Sequence, residues 1–397
     1  MSIYSGLPEN LRDALKRCDE LVDDKQLDYL YDLYDPETGG FYFSISSRDA
    51  EEMTPFGEGT NDCHGILCAG GMVFPDWYKE KIGSWVREHQ DESDGFFYEP
   101  LWGKITSGPR LHRDLTANVA ILNRCGMQPK YPLPIERLEK NEKVETIPEY
   151  LSSEKALIDY MDSLDWSSKS IWATGQRLTV EVPIMKANGI FETAHRYVIE
   201  KQNKETGLWA EGLGWMNTNG SMKLTGFFTD AEHPYPNIEK MLGSVLELFK
   251  TGIAPQAPTW IWNPFVLIAR AMETCSAENA EKYRTMLYDS GADIVNYAID
   301  CAQKFRRADG GFASTGSRAI FRAQGYLFGY GLANESDTDG TMIAGHLMRL
   351  MIHKAFGITP PAVHYKDKAD AFFERLKSKS PIRKILPRPE GPLTPKA

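Results

Sequence analysis

The chain has 397 residues, 42% of them of hydrophobic type, and a formal net charge of −10. That is enough apolar material for a large core, and the acidic balance argues against a broad face for a nucleic-acid backbone. No run approaches about 18 uninterrupted apolar residues, so no membrane-spanning helix is expected.

The first residues, "MSIYSGLPENLRDALKRCDELV", lack a cationic start followed by an apolar block, so no signal peptide is expected. The six cysteines are scattered rather than packed into a short framework, which points to reduced thiols and a cytoplasmic, soluble protein. Residues 1–24 read as a helix packing on a main body of 25–376. From there on, apolar residues recur at i, i+3, i+4 and i+7, as in "PNIEKMLGSVLELFKTG" (236–252), "WNPFVLIARAMETC" (262–275) and "TMIAGHLMRLMIHKAFG" (341–357). Strand signals are few, so the fold class is all-α. Residues 377–397 are basic and rich in proline and read as a flexible tail.

Four short words punctuate the helices: "PETGGFYFS" (36–44), "ESDGFFYEP" (92–100), "KETGLWAEG" (204–212) and "ADGGFASTGS" (308–317). Three follow a late glutamine, namely Gln90, Gln202 and Gln303. The glycine permits the left-handed residue that closes a helix, and the aromatic can fold back over the helix end. Repeated helix pairs of this kind suggest a solenoid or a closed ring.

Gln followed by Gly-x-aromatic at a helix end resembles the "QW" repeat of terpenoid cyclases, with related words in protein prenyltransferases and other α/α-toroids. The resemblance covers roughly residues 25–357. It implies an (α/α) toroid of about six helical hairpins in which inner helices start at a central cavity. The inner starts would be "TNDCHG" (60–65), "LHRDLTAN" (111–118), "WATGQR" (172–177), "HPYPN" (233–237), "TWIWNP" (259–264) and "SDTDGT" (336–341). They supply a polar set of Asp62, His64, His112, Arg113, Asp114, Gln176, Arg177 and His233. An aromatic lining of Trp172, Trp209, Trp215, Trp260, Trp262 and Tyr326 would accompany it. Helix capping by Asn, Asp, Ser and Thr explains one polar residue per start but not His112, Arg113 and Asp114 together.

"DTDGTMIAGHLMRL" (337–350) resembles the "DxDDTA" helix start of class II terpene cyclases. The resemblance makes Asp339 the proton donor and Asp337 its neighbour; Gly340 departs from the pattern, which has a third Asp there. Two carboxylates at one helix start push their pKa values apart, so one can stay protonated in an apolar surrounding. "DCHG" (62–65) is similar to the zinc word of lanthionine cyclases, but it lies early in the chain and no Trp-Cys word accompanies it, so no metal and no cofactor are expected. The stretch 313–341 is a long loop of the kind that forms lids, in which Arg318 and Arg322 are candidates to clamp an anion.

Three functions fit. An acid-initiated cyclase or isomerase would protonate an isoprenoid in a cavity whose aromatic faces stabilise carbocations. A carbohydrate-active (α/α)6-barrel enzyme, a glycosidase or uronate lyase, would pair Asp62 or Asp114 with Asp337 or Asp339, or use His112 and Arg113 on a uronate. A toroid that only binds a ligand is the third. The expected partner is a small molecule, an isoprenoid or an oligosaccharide; the oligomeric state is left open.

Overall fold

The computed structural model describes residues 3–105, 109–139, 148–230, 232–360, 362 and 364–394. The regular secondary structure of the described residues is helical apart from one short antiparallel hairpin, in which Arg322 faces Leu327 and Ala323 faces Tyr326, and isolated bridges. No helix among them is long and apolar enough to cross a membrane.

The chain forms two compact units. The first comprises Met1–Glu20, Glu145–Ala302 and Leu347–Pro360; the second comprises Leu21–Val144, Gln303–His346 and Pro361–Ala397. The expected boundaries at 24/25 and 376/377 are not where these units divide.

In the first unit, the helices Ile171–Ala187, Trp215–Thr229, Pro258–Glu273 and Met348–Ala355 pack each on the next. Twelve of the fifteen residues of Trp215–Thr229 are buried, so this helix is enclosed on nearly every side. Glycine makes that possible: a Cβ on Gly220 would lie 2.4 Å from Ile171 Cγ2. The helix Ile238–Lys250 buries only one stripe (Ile238, Met241, Leu242, Val245, Leu248 and Phe249) and is an outer helix of the unit. This corrects the expectation for His233–Asn237: they introduce an outer helix, and the inner start of that hairpin is at Trp215.

The second unit is built on Asp24–Leu33, Gly57–Ala69, Asp76–Glu88 and Pro109–Cys125. Leu30, Leu33, Ile66, Leu67, Tyr78 and Ile82 belong to one buried cluster. Phe43, Phe56, Trp102 and Phe328 form a second, aromatic one.

The four Gly-aromatic words fold alike. Each makes one antiparallel bridge across a turn: Tyr34 to Phe41, Gln90 to Phe97, Gln202 to Trp209 and Arg306 to Phe312. The turn glycines Gly39, Gly95, Gly207 and Gly310 all have positive φ, between 67° and 99°. Where glutamine is present its amide does the fastening. Gln90 Nε2 donates to the carbonyls of Gly95 (3.0 Å) and Tyr131 (2.9 Å), and Gln202 Nε2 to those of Gly207 (2.8 Å) and Pro236 (3.0 Å). Gln303 is not such a residue: it is exposed. Arg306 takes the bridge position, with its guanidinium on Asp23 (2.6 and 2.8 Å) and over the Phe312 ring. In three of the words the aromatic N–H is then held by a hydroxyl of the following helical segment. Phe41 N donates to Thr60 Oγ1 (3.0 Å), Trp209 N to Ser221 Oγ (2.9 Å) and Phe312 N to Thr341 Oγ1 (3.0 Å).

Several residues between 379 and 393 are tied to the second unit. Lys379 Nζ donates to the carbonyls of Tyr31, Asp32 and Tyr34, the open end of the Asp24–Leu33 helix. Lys384 Nζ holds the carbonyls of Arg48 and Met53, and Leu327 N donates to Leu393 O. Composition foretold a tail because the partners of these groups are backbone atoms far away in sequence.

Candidate functional site

The site is built around the start of the short helix Thr338–Thr341 in the second unit. Asp337 is its N-cap, with extended backbone. Its carboxylate is fully occupied. Oδ1 accepts from Ser314 Oγ (2.6 Å) and Gly340 N (2.7 Å); Oδ2 accepts from Ser314 N (3.0 Å) and Ile320 N (3.1 Å). Four donors from three chain segments make this aspartate the clasp of the 313–320 loop. Burial pushes its pKa up, and these donors oppose the rise.

Asp339, one residue beyond Thr338, has among the described residues one side-chain contact of hydrogen-bond length, Oδ2 to Ser314 Oγ at 3.2 Å, where it competes with the nearer Asp337 Oδ1 (2.6 Å) for that hydroxyl's single proton. Its carboxyl is half-buried. Burial, then the charges of Asp337 and Glu58, push its pKa up to about 7, against Arg113 and the Ser314 bond. The third Asp of the family pattern has no room here. A Cβ on Gly340 would lie 2.5 Å from both Ala313 C and Ser314 N, so only glycine admits the loop that Asp337 holds.

The Gly57–Ala69 helix faces this start. Thr338 Oγ1 donates to Asp62 Oδ2 (3.2 Å). Asp62 is buried, and desolvation with the charges of Asp339 and Glu58 pushes its pKa well up. Glu58, one turn earlier on the same face, accepts from Arg110 Nη1 (2.5 Å) and from Arg113 Nη2. These two guanidiniums outweigh burial and hold its carboxyl below the usual range. Arg110 is 1% exposed and also pairs with Asp114, Nε to Oδ1 at 2.9 Å; Arg113 is 47% exposed.

Behind Arg110 lies a second acidic pair. Glu99 Oε1 accepts from Gly57 N and Asn118 Nδ2, both at 2.9 Å. Burial raises Glu99, and burial with the Glu99 charge raises Asp114 to about 8 in spite of Arg110. Glu99 Oε2 and Asp114 Oδ2 are buried with no hydrogen-bond partner among the described residues.

Of the predicted residues, Asp337, Asp339, Asp62, Arg113 and Asp114 thus come together. His112 is exposed, with its ring centroid 6.0 Å from that of Phe96 and the two rings steeply inclined. His64 lies two residues past Asp62, on the opposite side of its helix; it shares a 2.6 Å hydrogen bond with Tyr78 and is driven down to about 3 by burial. It is a core histidine. The word "TNDCHG" lies inside a helix that starts at Gly57 rather than at a helix start.

The aromatic lining is corrected in part. Trp209 and Trp215 are buried core residues whose indole N–H groups donate to Val198 O (2.7 Å) and Ile253 O (2.9 Å). Trp172 is 41% exposed, with Lys223 over its ring. Trp260 and Trp262 are partly buried on Pro258–Glu273, and Trp260 Nε1 donates to the Asn219 side-chain oxygen (3.3 Å). Gln176 and Arg177 lie on the first-unit helix Ile171–Ala187, and His233 pairs with Glu192 (3.4 Å) and stacks near His195. Tyr326 packs edge-on to Trp102 in the second unit. A concavity of about 940 Å³ in the first unit is lined by Glu205, Pro234, Asn237, Glu247, Asn279 and Tyr283 among others, and by none of the predicted residues.

Glu58, Arg110, Glu99 and Ser314 were missed. Two of them carried a local signal, since Glu58–Asp62 and Arg110–Asp114 are i,i+4 charged pairs on helix faces.

A solved structure of a type II terpene cyclase from Scytonema, MstE_D109A in complex with its product merosterolic acid A, is similar to this chain. The TM-score is 0.42 and the sequence identity 11%, over 87% of this chain and 99% of that one. No protein-family model and no curated protein matches the chain.

Proposed function

We propose that the second unit carries a general-acid centre in which the Asp339 carboxyl protonates an isoprenoid and starts its cyclisation or isomerisation. The observation that carries this reading is the division of labour between two neighbouring aspartates. Asp337 accepts from three fixed backbone N–H groups and from the Ser314 hydroxyl; Asp339 only competes for that hydroxyl at 3.2 Å, and its pKa is pushed up to about 7. A carboxyl held neutral near physiological pH and left free to turn is what proton delivery needs. The Asp339 O–H proton passes to an alkene carbon, leaving a carboxylate and a tertiary carbocation. Loss of a proton from the rearranged cation completes the reaction.

The surroundings favour this over hydrolysis of a glycoside. A glycosidase needs a second carboxylate that is ionised and free to act as base or nucleophile. Asp62 is pushed toward its neutral form, and the ionised Glu58 is tied to two arginines. The aromatic cluster of Phe43, Phe56, Trp102 and Phe328 adjoins the acid's helix start, where Thr338 N donates to Phe43 O (3.0 Å). Aromatic faces stabilise cations. All six cysteines are free, in keeping with the cytoplasmic location that is part of this proposal.

The test is ligand-dependent thermal stabilisation and product formation with wild type, Asp339→Asn and Asp337→Asn. The panel holds prenyl diphosphates, polyene hydrocarbons, and neutral and uronate-containing oligosaccharides. A native-state ligand raises Tm by mass action. A shift with an isoprenoid, and product lost in Asp339→Asn with the shift retained, is the expected result. A shift with sugars alone overturns the reading. Stabilisation without turnover by wild type under any condition supports a binding protein instead.

A further inference from the structure

The hydroxyl locks align three segments of the chain. Counting back from Thr60, Ser221 and Thr341, the same pattern precedes each: Glu58-Gly59-Thr60, Asn219-Gly220-Ser221 and Asp339-Gly340-Thr341. Gly59 and Gly340 also share a setting, since a Cβ on either would face the carbonyl oxygen of the clasp aromatic, Phe41 or Phe312. Glu58 therefore stands in its hairpin where Asp339 stands in its own. Within the second unit the acid position occurs twice.

The two copies differ in what touches them. Asp339 has the Ser314 hydroxyl. Glu58 has Arg110 on one oxygen and Arg113 on the other. We propose that Glu58 is the second copy of the Asp339 acid position, kept ionised by Arg110 and Arg113, and that its fixed negative charge makes it a positioning residue that holds the proton on Asp339. The inference rests on the general-acid reading of Asp339 and deepens it.

Charge-assisted hydrogen bonds from two guanidiniums favour the carboxylate form of Glu58 far more than a hydroxyl favours that of Asp339. Glu58 lies one helical turn before Asp62, which Thr338 of the acid's own turn bonds at 3.2 Å, and its charge is among those that raise Asp339, after burial and Asp337; of two such acids the one with cationic partners ionises and the other keeps its proton. The groups facing Asp339 are Asp337 on its own turn, Asp62 and Glu58 on the Gly57–Ala69 helix, and Arg113 on the Pro109–Cys125 helix. Those around Glu58 are Asp62, Arg110 and Arg113, with Asp114 and Glu99 behind Arg110. The site thus turns a duplicated acid into an unequal pair, one charged and structural, one neutral and reactive. Asn219, the third copy, is an amide and has no proton to give.

The test is a carboxyl ¹³C titration of the full chain labelled at aspartate, with the Asp339 signal assigned by its absence in Asp339→Asn. Glu58→Gln removes the fixed charge and should lower the Asp339 midpoint by about one pH unit, the size expected of one charge at moderate distance in a partly shielded site. Arg113→Gln leaves Glu58 ionised on Arg110 and removes a cation, so it should move the midpoint up. Opposite shifts support the inference. A merely loosened site would admit water and move both down, and an unmoved midpoint in Glu58→Gln would equally overturn it. Should Glu58→Gln fail to fold, Glu58→Met is titrated in its place: a lowered Asp339 midpoint supports the inference and an unmoved or raised one overturns it. Turnover retained in Asp339→Asn would instead sink the general-acid reading, leaving the titration result to stand by itself.

Discussion

Replacing each aspartate of the 337–339 pair by asparagine separates structure from chemistry. Asp337 Oδ2 accepts two backbone N–H groups, from Ser314 and Ile320, and Oδ1 accepts Gly340 N and the Ser314 hydroxyl. An amide placed there must turn its NH2 toward one pair. Turned toward Ser314 N and Ile320 N, it faces two donors and orphans both. Turned toward Oδ1, it can be accepted by the Ser314 hydroxyl, which rotates, but the Gly340 N–H loses its cap. The second orientation is cheaper. It forfeits an N-cap bond of about 1 kcal/mol and leaves a buried donor unsatisfied at about 1–3 kcal/mol. Asp337→Asn should therefore destabilise the protein by about 2–4 kcal/mol, while Asp339→Asn loses one 3.2 Å bond and a repulsion, and should be neutral or stabilising at pH 7. Urea denaturation followed by circular dichroism measures both. An Asp337→Asn protein of wild-type stability, or an Asp339→Asn protein destabilised by more than about 2 kcal/mol, would refute the assignment of structural and reactive roles.

Three further outcomes follow from the same geometry. The raised pKa of Asp339 means that the folded state holds a proton that the unfolded chain gives up, so this group's contribution is complete below pH 4 and is lost as pH rises through about 7. Asp339→Asn should gain stability relative to wild type over that interval, by at most about 4 kcal/mol, and denaturation at pH 4 and pH 8 checks the sign. Gly340→Ala drives a methyl into the backbone at Ala313 and Ser314; an overpacking cost of about 1–3 kcal/mol should appear as a lower denaturation midpoint, and an unchanged one would mean that the loop is not seated there. Thr341→Val keeps the shape but orphans Phe312 N, so a loss of about 1–3 kcal/mol is expected, against almost none for the exposed Thr116→Val in a parallel thermal melt.

What was legible in the sequence follows the range of the interactions involved. The Gly-aromatic words declared themselves because turn, glycine and bridge partner lie within about seven residues of one another, inside the reach of local geometry. All four fold as that pattern demands, including the two without glutamine, in which Tyr34 and Arg306 take its place. Asp337 and Asp339 could be singled out because both belong to one helix start. Only the family resemblance distinguished them there; the physical basis was out of reach, since three of the donors that immobilise Asp337 come from Ser314 and Ile320, 23 and 17 residues upstream. Glu58 stayed hidden for a related reason. Read alone, "FGEGTND" looks like a capping sequence, and its meaning emerges only when Thr60 and Thr341 are seen to accept the same hydrogen bond in separate hairpins. The tryptophans failed in the opposite way. Trp209 and Trp215 have the residue type a cation-lining surface needs, but a large apolar ring beside a clasp or at an enclosed helix start is worth more in the core. The sequence pattern does not reveal which side of the helix will be covered. The proposed acid could therefore be singled out through its repeat and its helix start, and the residues proposed to set its charge only through contacts that cross the chain.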